Sequence, residues 1–342
     1  MIDAICVEIE LQKHYLESQS IQTIYFGGGT PSVLTSDELS QILNKIKSEF
    51  DTSKLIEVTL EANPDDISKD KINDWKTLGV NRLSIGLQSF KSFDLEWMNR
   101  AHTVVESMNC VQLAIENGID NLTVDLMYGL PNLTNDEWIS HIETVVSMGV
   151  NHVSAYCLTV EEGTALDKFV EKGKVVPASE NIQAEQFLIL VETLEKYGFV
   201  QYEISNFSKP NFESKHNSNY WKGVHYLGIG PSAHSYNGHS RSWNIRNNHQ
   251  YMSLIESNGI WNETEKLSEK DVFNELILTG LRTIYGVNLA QLAKVIPLTK
   301  VFCSQIDQLC DQQLMIKSDD SICLTPLGRL QADRIASDLF QV

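Results

Sequence analysis

Positive charge is scarce in this sequence. In 342 residues, 27 lysines and arginines stand against 45 aspartates and glutamates, a formal net charge of −18, and no basic run interrupts the acidic excess. Such a chain repels phosphate, which excludes general nucleic-acid binding. Long apolar runs are also lacking. Even Phe187 to Val191 is bounded by Gln186 and Glu192, far short of the roughly 20 residues of a membrane span. Residues 1–20 carry acidic side chains and no signal-peptide pattern, so a cytoplasmic location without an integral membrane segment is expected. Cysteine occurs only at positions 6, 110, 157, 303, 310 and 323, without CxxC or other tight ligand spacing. That scatter excludes a disulfide framework and, taken alone, argues against a cysteine-held metal.

What is present is core-forming material, 42% hydrophobic, arranged as a repeat. A helical pattern ends on a glycine followed by an apolar residue and then a strand, at Leu78-Gly79-Val80, Asn117-Gly118-Ile119, Met148-Gly149-Val150 and Tyr197-Gly198-Phe199. Glycine just past a helix supplies the left-handed cap residue. Thr35 with Glu38 and Thr134 with Glu137 read as capping boxes. The intervening strands are expected at Ile21 to Phe26, Glu57 to Glu61, Arg82 to Gln88, Leu122 to Tyr128 and Val153 to Leu158. Alternation of this kind implies βαβ crossovers and a parallel sheet, hence an α/β fold.

Glu57, Thr59 and Glu61 share one strand face, as do Ser84, Gly86 and Gln88, and Thr123 and Asp125. A parallel sheet covered on both sides is apolar on both faces, so a shared polar face suggests a barrel with a ligand inside. The chain opens on a helix with Ile2, Ile5, Cys6 and Ile9 on one face and no strand before it, as if the first repeat lacked its strand. Beyond Gly198 the sequence turns loop-rich up to about Trp261. From Leu267, three helical stretches precede a hairpin (Leu314 to Lys317, Ser321 to Leu324) and a helix from Pro326, an arrangement resembling a winged helix. Residues 299–342 hold four basic and six acidic side chains, which favours a packing or lid role over DNA binding.

Gly27-Gly28-Gly29-Thr30-Pro31 follows the first expected strand. Its backbone can pass close to a ligand, although the same residues suit a tight turn without one. Glu61, Asn63, Gln88 and Asp125 recur near the C-terminal ends of strands, where parallel barrels carry their sites. Each alone reads as a cap or loop hydrogen bond; together they suit a ligand with hydroxyls and an amino group.

GGGTP, then LEANPDD, SIGLQSF, Asn99-Arg100-Ala101-His102 and VDLMYGLP, in this order, resemble the radical S-adenosylmethionine (SAM) enzymes of the oxygen-independent coproporphyrinogen oxidase superfamily. The likeness runs on through Tyr202 to Phe207 and Leu227 to His234. It implies a partial six-stranded (β/α) TIM-like barrel over 1–205, a loop-rich segment packing on it over 206–262 and the winged-helix-like module over 263–342. It implies SAM held by Gly28, Gly29, Thr30, Glu61, Gln88, Arg100 and Asp125. Arg100 suits a carboxylate, and Glu61 or Asp125 suits an ammonium or ribose hydroxyl.

His216-Asn217-Ser218-Asn219-Tyr220-Trp221 resembles the HNxxYW signature of the HemW-type haem chaperones, a branch of that superfamily. The resemblance implies haem as ligand, His216 as the candidate iron ligand, Tyr220 and Trp221 as apolar surface for the macrocycle, and an unidentified haem-acceptor protein as partner. Without the signature, His216 reads as a solvent-facing loop histidine and Tyr-Trp as core. His234 lies either near SAM or in a structural position.

Family members hold a [4Fe-4S] cluster in a CxxxCxxC loop after the first strand, and the six cysteines here do not match it. The expectation is that some tens of N-terminal residues, with that strand and loop, precede the sequence in the full-length protein, and that the chain as given does not bind the cluster. Haem chaperoning is the leading function. Oxidative decarboxylation of coproporphyrinogen III and a cofactor-less binding scaffold are the alternatives.

Overall fold

A computed structural model describes residues 1–18 and 20–341. The chain forms two compact units, the first comprising Met1–Ile24, Leu34–Val58 and the chain from Ser214 onward, the second Tyr25–Val33 and Thr59–Glu213.

One seven-stranded sheet contains β1 (Thr23–Phe26), β2 (Glu57–Ala62), β3 (Arg82–Gln88), β4 (Leu122–Tyr128), β5 (His152–Cys157), β6 (Val200–Glu203) and β7 (Asn206–Ser208). Their order is β1-β2-β3-β4-β5-β7-β6, and β2 to β5 pair in parallel. Helices lie between successive strands from β1 to β6, and the order puts β1 and β6 at the edges among the described residues, as in a partial barrel. Leu60, Leu83, Ile85, Val124, Leu126 and Val153 are fully buried and supply the apolar side of the sheet. The four glycines that end the repeat helices, Gly79, Gly118, Gly149 and Gly198, all have positive φ. Both expected capping boxes form, at Thr35 with Glu38 and at Thr134 with Glu137.

The sheet departs from the purely parallel repeat at its far edge. The stretch Tyr202 to Phe207, read as loop, makes the β6–β7 hairpin, and β7 pairs antiparallel with β5. Tyr202 and Phe207 are buried as strand residues should be. Glu203 and Asn206 are buried too, and they disguise the pattern. Asn206 donates to Glu203 and accepts from Ser154 Oγ at 2.6 Å, so each polar side chain enters the interior with a partner.

In the first unit, the helix Ile2–Leu11 packs against the helices Ser36–Glu49 and Asn248–Glu256. The unit also holds an antiparallel sheet of β8 (His234–Tyr236), β9 (Ser240–Asn244) and β10 (Asn262–Lys266). Helices Glu269–Leu281, Leu289–Val295 and Lys300–Asp311 are followed by the expected hairpin, now β12 (Met315–Lys317) and β13 (Ser321–Leu324). Joined by β11 (Val287–Asn288), they make a small three-stranded sheet, and the whole is winged-helix-like. Among the described residues, no helix is long and apolar enough to cross a membrane.

Glu8, on the first helix, is 0% exposed. Its carboxylate accepts from Gly230 N, Asn244 Nδ2, Tyr251 Oη and Trp261 Nε1 at 2.5–3.1 Å. Burial pushes its pKa up and those hydrogen bonds pull it back. Four donors converging on one carboxylate tie the loop before β8, β9 and the helix Asn248–Glu256 to the first helix. Glu8→Ala strands those donors, so urea denaturation should show a loss of about 3 kcal/mol or more. A loss under about 1 kcal/mol would refute the assignment.

Candidate functional site

Strand β1 of the sheet runs into the glycine turn. A Cβ on Gly27 would fall 2.4 Å from the Tyr25 ring and 2.6 Å from Glu61 Oε1, so only glycine fits between them. Gly28 has φ +77° and donates its N–H to Glu61 Oε2 at 3.2 Å. Above Gly28 and Gly29 the space is open, since a Cβ on either meets no atom within 4 Å. The Thr30 carbonyl accepts from Val33 N and closes the turn. Tyr25 Oη donates to Glu61 Oε1 at 2.7 Å, which leaves the carboxylate fixed at the rim.

Asp125, on β4, is the second carboxylate there, with Ser84 Oγ at 3.4 Å. Burial first, and then the neighbouring Glu61 charge, raise its pKa from 3.8 to about 7 against the opposing pull of Arg82 and of hydrogen bonds from Ser154 and Ser84. Arg82 is 1% exposed. It donates to Thr123, while its Nε has no hydrogen-bond partner. Two carboxylates within electrostatic reach of each other favour a cationic or hydroxyl-bearing guest.

The β3–β4 register shifts between Ile85 and Gln88, and Gln88 takes φ +69°. A bulge of this kind takes residues out of the ladder, and side chains from the Asn99-to-His102 segment meet the carbonyls of two of them. Arg100 Nη2 donates to Gly86 O at 3.1 Å and to Asn63 Oδ1 at 2.9 Å. His102 Nε2 lies 3.2 Å from Leu87 O. Arg100 is thus held by its tip, with a buried Nε that has no partner. Of the seven expected SAM residues, Gly28 and Glu61 touch directly. Asp125 stands within electrostatic reach of Glu61, and Arg100 lies against the β3 bulge that carries Gln88. Gly29 and Thr30 complete the glycine turn without a side-chain bond to the others.

His216 sits in the first unit, on the helix Lys215–Trp221. The buried Glu57 fixes the start of that helix. It accepts from Lys215 N and His216 N, both at 2.9 Å, and from Ser214 Oγ at 3.4 Å. Glu57 therefore anchors a helix and does not line the barrel as its strand pattern suggests. The half-buried imidazole has Nδ1 at 2.8 Å from Thr23 Oγ1 and Nε2 at 3.0 Å from Tyr220 Oη. Trp221 lies under the Arg282 guanidinium at 5.4 Å, and Arg282 is in turn paired with Asp333. One face of the indole is therefore taken, whereas Tyr220 is 39% exposed.

The Radical SAM superfamily profile matches residues 7–145. Heme chaperone HemW of Bacillus subtilis (strain 168) is 34% identical over 319 residues, 92% of this chain and 84% of its own. Heme chaperone HemW of Lactococcus lactis subsp. lactis (strain IL1403) is 34% identical over 329 residues, 96% of this chain and 86% of its own. The chain belongs to the HemW family. Coproporphyrinogen III oxidase (HemN) from Escherichia coli, a radical SAM enzyme, aligns with a TM-score of 0.83 over 99% of this chain and 82% of its own, at 19% identity. That likeness is one of fold.

As a HemW family member in the radical SAM superfamily, the chain can be tested for fit to the groups that membership implies. The glycine turn, the carboxylate pair and the unpartnered Arg100 Nε fit an amino-acid-bearing ligand such as SAM. An iron–sulfur cluster does not fit these residues. Among the described residues, no three His, Cys, Asp or Glu side chains come together as a metal site, and all six cysteines are free. His234 is exposed, with its ring 6.3 Å from Trp243. Tyr25, Arg82, Thr23 and the anchoring role of Glu57 were missed in the sequence, because each depends on a partner at least 33 residues away or on burial. The pattern Tyr25-Phe26-Gly27 before a glycine run is the one local hint.

Unfolded, Asp125 releases its proton near 3.8, and folded it does so near 7. Between those values the folded chain keeps a proton that the unfolded chain has lost, so stability falls as pH rises through the window. Asp125→Asn should flatten that part of the urea-denaturation profile, and an unchanged slope would remove Asp125 from the account.

Proposed function

We propose that the protein is a haem chaperone that takes up haem on the helix carrying His216 and passes it to an acceptor protein. The observation that carries this reading is the setting of the imidazole. Its helix is anchored by Glu57 through two backbone N–H groups, and its Nδ1 is held by Thr23 at 2.8 Å. A hydrogen bond on one ring nitrogen orients the other toward a metal, as in metal-binding histidines generally. Haem supplies an iron with an open coordination position and a flat apolar face. His216 would ligate through Nε2, and the exposed ring of Tyr220 suits the edge or face of the macrocycle. The HemW relatives, named as heme chaperones, support the same reading.

The proposal gives SAM to Gly28, Gly29, Thr30, Glu61, Gln88, Arg100 and Asp125. The Glu61 and Asp125 carboxylates suit its ammonium and ribose hydroxyls, and Arg100 Nε its carboxylate. Bound SAM would bring a sulfonium cation to the acidic rim. Along the chain, SAM falls to 1–205 and haem to 206–262, while 263–342 has a packing or lid role. Six scattered thiols support a reducing, cytoplasmic setting.

Haem titration followed by the Soret band tests the reading. His216→Ala should abolish the ligand-field shift seen with wild type. Thr23→Val should weaken haem binding roughly ten-fold, the usual effect of removing a partner behind a metal ligand. Identical spectra for wild type and His216→Ala would overturn the assignment of the ligand and favour a scaffold.

A further inference from the structure

We infer that Tyr220 is a removable cap on the ligand atom of His216, so that access to the imidazole opens by rotation of one side chain while the helix stays in place. This rests on the haem-ligand reading above.

Both ring nitrogens of His216 are engaged, Nδ1 with Thr23 Oγ1 at 2.8 Å and Nε2 with Tyr220 Oη at 3.0 Å. Whichever tautomer is present, the phenol oxygen stands in hydrogen-bonding position on Nε2. A metal bound to imidazole sits roughly 2.0–2.1 Å from the nitrogen along that same direction, so the hydroxyl must leave before a metal can arrive. The spacing of four residues on a helix puts the two rings one above the other, and they meet edge to face with centroids 5.1 Å apart.

The helix is not free to move them apart. Its first turn is held by Glu57 through Lys215 N and His216 N, and its last by Trp221 under Arg282. Ser214 caps it by accepting from Asn217 N. Tyr220 is the more exposed member. It is 39% exposed, and beyond His216 the ring contact recorded for it is an edge-to-face packing on Tyr226 at 4.6 Å. Exposed side chains change rotamer on the picosecond-to-nanosecond scale, so opening is fast and its cost is that of a neutral hydrogen bond.

Tyr220→Phe keeps the ring and removes the oxygen. In the full, haem-free chain, carbethoxylation of His216 by diethylpyrocarbonate, read by mass spectrometry on the peptide containing it, should run about five-fold faster in Tyr220→Phe than in wild type. Haem should bind the variant about five-fold more tightly, which corresponds to about 1 kcal/mol. Modification at the wild-type rate, or haem binding that is unchanged or weaker, would overturn the cap. A His216→Ala control separates the two claims. If it binds haem with the wild-type spectrum, the ligand reading fails, while the modification rate of haem-free Tyr220→Phe still decides whether the hydroxyl covers Nε2.

Discussion

A carboxylate removed from water must be met by hydrogen-bond donors or lose its charge, and this requirement organises both units of the chain. Glu8 and Glu57 are fully provided for. Glu8 collects four donors from the chain between Gly230 and Trp261. Glu57 collects the free N–H groups that every helix start exposes. Both are therefore fixtures, and the segments that supply their donors have no other place to lie. Glu61 and Asp125 are provided for in part. Tyr25 and Gly28 reach Glu61, and Asp125 has the hydroxyls of Ser84 and Ser154 beside a like charge.

The HNxNYW segment divides its labour in the same way. Its backbone N–H groups are spent on Glu57 and Ser214. Its tryptophan is spent on Arg282, which ties the helix to the winged-helix-like part of the same unit. That leaves His216 and Tyr220 as the outward-facing pair. The short run thus has an anchoring end at Ser214 to His216 and a bracing end at Trp221.

Local signals carried most of the fold. The glycine helix ends, the two Thr-to-Glu capping boxes and the five repeat strands are each decided by residues within a few positions of one another, and these could be read directly. The β6–β7 hairpin could not, because Glu203 and Asn206 look like surface residues until their pairing with each other and with Ser154 is known. The candidate residues of the glycine turn and strand ends stand out as a set because parallel α/β folds carry such residues at one rim. Their supports do not. Thr23 behind His216 and Glu57 beneath it lie 193 and 159 positions away from it in sequence, and nothing in the pattern of β1 or β2 announces either contact.

Those separations also set a timetable. Loop closure across so many residues comes late, after local helices and hairpins have formed. During synthesis the strands bearing Thr23 and Glu57 emerge long before residues 214–221, so until that helix docks Glu57 is a buried-to-be charge without donors and the imidazole has no fixed direction. The fixed direction of the His216 imidazole is therefore among the last properties the chain acquires, and a partly folded molecule holds the same histidine without the partners that orient it.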